Sequence, residues 1–184
     1  GVRGRPFFGE ASAEFSAVAR AGSHATGTGQ VTQATVIDSY VARLLAALDG
    51  IDPAVLDGLR ISWDAGNGAA GPVIDRLVER LPGFHVCLHT AVDGRFPNHH
   101  PDPTVEANLD DLRDAVAAHA LQFGVAFDGD GDRIGVVDSV GRVIWGDQLM
   151  MIFAEDVLQQ HPGAAIVADV KASNNLFARI RALG

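Results

Sequence analysis

The sequence predicts an α/β fold, a layered sheet with helices packed on it. From residue 59 onward, short runs rich in β-branched residues alternate with stretches whose apolar residues recur at helical spacing. A glycine-rich turn, Gly66-Asn67-Gly68-Ala69-Ala70-Gly71, follows the first such run and precedes a helical pattern. A third mark is Asp128-Gly129-Asp130-Gly131-Asp132-Arg133, set between two strand-like runs. Active sites of open α/β sheets lie beyond the carboxyl ends of strands, and this loop occupies one.

The elements follow in order. Residues 1–34 are rich in Gly, Ser, Thr and Ala with little periodicity, and residues 22–29 read as a linker or loop. Val36, Tyr40, Leu44 and Leu48 share one helical face, and that helix stops near Gly50, before Pro53. Residues 59–63 form a strand, then Val73, Leu77 and Leu81 stripe the next helix. Residues 85–90 are a second strand, followed by a long loop over 93–103. Leu109, Leu112, Val116 and Ala120 line another helix. Strands at 123–127 and 134–138 flank the acidic loop. A further unit begins near Gly141, with a strand at 142–145, a helix over about 147–160, a strand at 165–170 and a helix from 174. The expected division is therefore 1–34, 35–141 and 142–184, the last unit unfinished.

Composition narrows the function. In 184 residues, 47% are apolar and 20% charged, enough for a packed core. The net charge of −9, with Lys171 the only lysine, leaves no basic stripe and argues against nucleic acid. Cys87, the only cysteine, excludes an internal disulfide and fits a reducing cytoplasm; in its strand-like run it reads as a buried, inert thiol. No run approaches a membrane span and no signal peptide opens the chain. A start without methionine gives the expectation of a piece from something longer.

The acidic loop carries the chemistry. Three carboxylates at alternate positions repel one another unless a cation neutralises them. Oxygen-only ligands select Mg²⁺ or Ca²⁺ over zinc or copper. Arg133 beside them points to a further anion, such as a phosphate, docking on metal and guanidinium together. An EF-hand loop also begins D-x-D-x-D, but it needs glycine at its sixth position and glutamate at its twelfth. Arg133 and Ser139 stand there instead. A solvated acidic turn is the plain alternative, and it leaves the repulsion unexplained.

Three other features each admit two readings. Gly66 to Gly71 matches G-x-G-x-x-G, with Asp93 about twenty positions on, and supports an NAD-type dinucleotide site as the alternative function. Glycines at any tight strand-to-helix turn give the same pattern. His99-His100, in Phe96-Pro97-Asn98-His99-His100-Pro101-Asp102-Pro103, are potential metal ligands, against which stands a proline-stiffened loop held by side-chain hydrogen bonds. Lys171, expected at a strand's end, is either a solvated lysine or a phosphate contact.

The sequence resembles the α-D-phosphohexomutases, in particular the bacterial phosphomannomutase/phosphoglucomutase branch. Asp64-Ala65-Gly66-Asn67-Gly68, the segment from Val92 to Pro103, Ala126 to Arg133 and Asp169-Val170-Lys171 carry it, in family order over about residues 35–184. The resemblance implies an α/β/α layered, mixed sheet: one complete phosphohexomutase-type domain with partial neighbours. It implies an isomerase that interconverts hexose 1- and 6-phosphates of mannose or glucose through a phosphoserine and a hexose 1,6-bisphosphate. Asp128, Asp130 and Asp132 would bind Mg²⁺, Arg133 would steady the moving phosphoryl group, and Lys171 would hold the sugar phosphate. The family's serine loop reads like Thr-Ala-Ser-His-Asn-Pro. Gly22-Ser23-His24-Ala25 lacks the Asn-Pro, so Ser23 is not expected to be the nucleophile. The remaining domains of the same polypeptide would supply it, leaving this chain with weak Mg²⁺ affinity and no turnover alone. A non-catalytic divalent-metal-binding domain is the third reading.

Overall fold

The computed structural model describes residues 8–22 and 25–184, which divide into two units, Gly1–Thr35 and Val36–Gly184. The first unit contains a helix, α1 (Glu10–Ala21), where only irregular chain was expected. Alanine-rich sequence forms helix on intrinsic propensity, without an apolar stripe. None of its residues is buried, which is why periodicity gave no sign of it. It ends at Gly22 in a left-handed turn (φ 63°), whose N–H donates to the Ala19 carbonyl. Ser23 lies outside the described residues.

The second unit opens with α2 (Ile37–Leu45), a 3₁₀ turn over Ala46–Leu48 and the short α3 (Pro53–Asp57). The last was not anticipated, although Asp52-Pro53 is a helix start. The Asp52 carboxylate accepts from the Ala54 N–H at 2.9 Å, and proline is preformed for the first turn. Then come β1 (Arg60–Asp64), α4 (Gly71–Val78), β2 (Phe84–Leu88), α5 (Asp110–Ala118), β3 (Phe123–Phe127), β4 (Ile134–Asp138) and β5 (Val143–Ile144). The strands form one mixed sheet of order β2-β1-β3-β4-β5. β1 runs parallel to β2 and β3, whereas β3-β4 and β4-β5 are antiparallel. Strand β2 stops two residues early because His89 turns the backbone to φ 53°.

Side chains alternate across the sheet. One face carries Val86, Leu88, Ala126, Val137 and Val143 against Leu109, Leu112 and Val116 of the α5 region, the main core. The absence of a side chain at Gly124 admits Leu112, since a Cβ there would lie 2.6 Å from its Cδ1. Trp63 and Phe127 point the other way and stack with centroids 6.5 Å apart. They line, with residues of α2 and α4, a shared apolar pocket. Helices thus cover both faces, the expected α/β/α layering.

Two helices follow, α6 (Gly146–Gln160) and α7 (Asn174–Leu183). The strand expected over 165–170 is not formed. A strand needs a neighbour for its ladder, and Val167 and Val170 are almost fully exposed. Lys171 therefore sits in a turn, not at a strand end: its N–H donates to the Asp169 carboxylate at 2.8 Å. The expected strand at 142–145 is real but short, and it joins the same sheet through β4.

Parallel β1, β2 and β3 end at the same edge. The segments that leave them, residues 65–70, 89–103 and 128–133, are forced together there.

Candidate metal centre

The acidic loop joins β3 to β4. Phe127 pairs with Ile134 in the ladder, and the Asp128 N–H continues it by donating to the Arg133 carbonyl at 3.2 Å. The Gly131 N–H closes a turn on the Asp128 carbonyl at 3.1 Å, with φ 76° at Gly131, a conformation costly to residues with a Cβ. The result places one carboxylate oxygen from each of Asp128, Asp130 and Asp132 within 4.8 Å of the others. Asp128 is buried, while Asp130 and Asp132 are exposed.

Arg133 grips Asp128 twice. Its backbone N–H donates to Oδ1 at 3.0 Å and its Nε to Oδ2 at 2.8 Å. Burial alone would push the Asp128 carboxyl up, but these bonds outweigh it and hold the group below the usual carboxylate range. Asp132 moves oppositely, raised first by the charge of Asp130 and then by that of Asp128. The loop therefore fixes one anion and crowds two more against it. Three hard oxygen donors at this spacing, each with a lone pair to spare, fit Mg²⁺ or Ca²⁺. The Arg133 side chain is about half exposed, and its Nη1 lies 3.5 Å from Asp102 Oδ1. Asp102 is held by Thr104, whose hydroxyl donates to the same oxygen at 2.7 Å. Asp102 and Thr104 carry no separate signal in the sequence; only the fold places Asp102, held by Thr104, beside Arg133.

The glycine-rich turn packs against this loop. A Cβ at Gly68 would lie 2.8 Å from the Gly129 carbonyl oxygen, and one at Gly66 would lie 3.0 Å from Pro101 Cβ. Backbone N–H groups of residues 65–69 are all spoken for: Ala65 by Leu88, Gly66 by Asp64, Asn67 by His89, Gly68 by Ala65 and Ala69 by Gly129. The dinucleotide alternative needs such amides free for a pyrophosphate, and the second glycine's approach face is filled by protein backbone. Asp93, its proposed ribose contact, is engaged by the Arg95 guanidinium at 2.6 Å. The glycines serve packing.

His99 and His100 diverge. His100 is exposed, and His99 turns inward, its Nε2 2.9 Å from Asp64 Oδ2 and its Nδ1 3.1 Å from the His100 carbonyl. Asn98 bonds Asn67 at 2.7 Å, and Asn67 in turn bonds the Ala91 carbonyl at 2.8 Å. A hydrogen-bonded loop, as opposed to a pair of ligands, is what forms. Asp64, His89 and His99 also cluster within 4.8 Å, but both ring nitrogens of His99 are engaged.

Lys171 does not touch the acidic loop. It lines a cleft of about 610 Å³ with Thr104, Asp147, Met150, Asp169 and Leu176. Thr104 links the two places, since its hydroxyl holds the Asp102 carboxylate that faces Arg133.

Residues 38–141 match the family model described as phosphoglucomutase/phosphomannomutase, alpha/beta/alpha domain II. The chain is 42% identical over 160 residues to a phosphomannomutase/phosphoglucomutase of Pseudomonas aeruginosa, covering 87% of this chain and 34% of that protein. It is 44% identical over 126 residues to a phosphoglucomutase of Neisseria gonorrhoeae, 68% of this chain and 27% of that one. A crystal structure of a phosphoglucomutase/phosphomannomutase family protein from Burkholderia thailandensis superimposes with TM-score 0.85 at 40% identity, covering all of this chain and 39% of the other. The chain thus spans about a third of the length of the relatives it matches.

Proposed function

The chain belongs to the phosphoglucomutase/phosphomannomutase family, and on that premise we propose that it supplies the Mg²⁺-binding part of a hexose-phosphate mutase. The reaction interconverts hexose 1-phosphate and hexose 6-phosphate, of mannose or glucose, through a phosphoserine and a hexose 1,6-bisphosphate. One observation carries the reading: three carboxylates and an arginine converge at the end of β3, where the loops after β1 and β2 also meet.

Phosphoryl transfer needs charge neutralisation and positioning more than covalent chemistry from the protein. Bound Mg²⁺ supplies Lewis-acid neutralisation at a phosphate oxygen. Asp128, Asp130 and Asp132 hold the cation, Asp128 being kept ionised by Arg133. Arg133, anchored through Nε on Asp128 and with Nη1 facing Asp102, presents its half-exposed guanidinium, Nη2 foremost, to the moving phosphoryl group. Lys171 places an ammonium in its cleft for the sugar phosphate. The nucleophilic serine and the sugar-reading groups come from segments that the longer relatives contain, so this chain alone does not turn over. Hexose phosphates are the substrates this reading requires, and a cytoplasmic enzyme is the proposal that goes with it.

The test is mutase turnover with Mg²⁺ and a hexose bisphosphate activator, on this chain and on one extended to the relatives' length. Turnover of mannose or glucose phosphates only in the extended chain, abolished by Asp130→Asn, is the expected result. Mg²⁺ binding with no turnover in either would support the non-catalytic metal-domain reading instead.

A further inference from the structure

We propose that His99 is a positioning residue, a buried imidazolium that locks the 96–103 loop onto the acidic loop and so gives cation binding a pH dependence set outside the ligands. The inference rests on reading residues 128–132 as a divalent-cation site.

Hydrogen-bond chemistry makes the case. His99 Nδ1 faces the His100 carbonyl, which only accepts, and Nε2 faces a carboxylate oxygen of Asp64. Asp64 Oδ1 already accepts from the Gly66 N–H at 2.8 Å, which leaves Oδ2 to face the imidazole. With an oxygen acceptor facing each ring nitrogen, the proposed imidazolium carries a hydrogen on both. Asp64 is fully buried and the His99 side chain 13% exposed, so each charge depends on the other for compensation. The groups facing the ring are Asp64 at the end of β1, His89 after β2 with its ring edge-on at 5.3 Å, and Asp111 on α5, which bonds His89 at 2.8 Å. Burial pushes the His99 imidazole down, but the His100 carbonyl, then Asp64 and Asp111, leave it above its ordinary value.

The lock reaches the acidic loop through contacts already described. Pro101 packs on Gly66, and a Cβ at Gly129 would meet Pro101 Cγ at 3.4 Å and Phe96 Cζ at 3.6 Å. Asp102, one residue further, faces Arg133. A group whose folded pKa is raised contributes fully below its ordinary value of about 6.5 and ceases to contribute as pH rises through the raised one. Loop locking is therefore complete at pH 6 and lost at alkaline pH.

The sign is diagnostic. A cation acting only by Coulomb repulsion would weaken Mg²⁺ binding when protonated, so affinity would rise with pH. Locking predicts a fall.

The experiment titrates Mg²⁺ into the ¹⁵N-labelled chain, reading the Gly129 and Gly131 amides at several pH values from 6 to 9, with the His99 ring nitrogens followed in parallel. Two protonated ring nitrogens at pH 6, and Mg²⁺ affinity falling about 10-fold as they titrate, is the expected result, at the lower end of what outer partners of metal ligands are worth. His99→Gln should bind Mg²⁺ about 10-fold more weakly than wild type at pH 6, without the pH slope. Should that variant not fold, the wild-type slope and ring titration decide alone. A flat or rising affinity, or a single protonated nitrogen at pH 6, overturns the inference while leaving the cation site intact. Zn²⁺ perturbing His89 and His99 together at micromolar concentration also overturns it, making the cluster a metal site. No Mg²⁺ response at any pH overturns the cation site and the inference with it.

Discussion

Replacing Gly68 with alanine separates packing from ligand binding at the glycine-rich turn. Gly68 does not have a positive φ, and Gly→Ala at a relaxed backbone position ordinarily stabilises by about 0.4–1 kcal/mol through the unfolded chain. Here the new methyl would stand 2.8 Å from the Gly129 oxygen, 3.0 Å from the Ala65 oxygen and 3.1 Å from the Gly129 carbonyl carbon. All three are backbone atoms, so no rotamer change relieves the clash. Regaining ordinary contact at 3.4 Å moves the acidic loop, which is itself backed by Pro101 and Phe96. Overpacking of this kind costs about 1–3 kcal/mol, and stretching the 3.0 Å bond from Ala69 N–H to the Gly129 carbonyl adds about 1 kcal/mol. Set against the unfolded-chain gain, the expected net loss is about 1–3.5 kcal/mol, a drop of about 0.5–2 M in the urea midpoint at an unchanged slope. Mg²⁺ affinity read at the Gly131 amide should fall as well. A variant as stable as wild type, or more so, refutes the close-packing argument and reopens the turn for a ligand.

Three further outcomes follow from the geometry. Leu112→Ala removes a fully buried side chain of the main core and should cost about 2–5 kcal/mol in urea unfolding, without changing which residues respond to Mg²⁺. Asp132→Asn should raise the urea midpoint of the metal-free chain at pH 7. The Asp132 carboxyl is raised by Asp130 and Asp128, so its ionisation is unfavourable in the fold. That gain should vanish as pH falls below the ordinary carboxylate range, where the wild-type group is protonated too, and Mg²⁺ affinity should fall at every pH. Cys87, whose thiol burial pushes up, should react slowly with a disulfide reagent in the native chain and rapidly in urea. Equal rates would refute its protection.

The sheet was legible because its signals are local. Residues 123–127 and 134–138 are short apolar runs, aromatic and β-branched, with a turn between them, and both strands form at those bounds. Where formation depends on a partner or on propensity alone, periodicity misled. Residues 165–170 have a strand's composition but no pairing neighbour among the described residues, and α1 has a helix's composition with no buried stripe. Composition is a property of the segment, whereas a strand is a property of two.

The candidate site divides the same way. Asp128, Asp130, Asp132 and Arg133 are six residues' worth of chain, so spacing alone brought them together. Asp64 and the 96–103 loop that carries both His99 and Asp102 are remote from them and from each other in sequence, and each residue has an ordinary explanation as a turn or strand-end residue. What joins them is strand order. With β2, β1 and β3 parallel and adjacent, the three exit loops share one sheet edge, and Gly66, Gly68 and Gly129 let their backbones touch. A sequence that showed three glycine- or proline-rich exits from three consecutive parallel strands already contained the convergence; which side chain meets which needed the register. The buried Asp64 was the available clue. A buried carboxylate closing a strand, two residues before a glycine turn, must find donors inside the fold, and besides the Gly66 N–H it finds a histidine from the loop after β2.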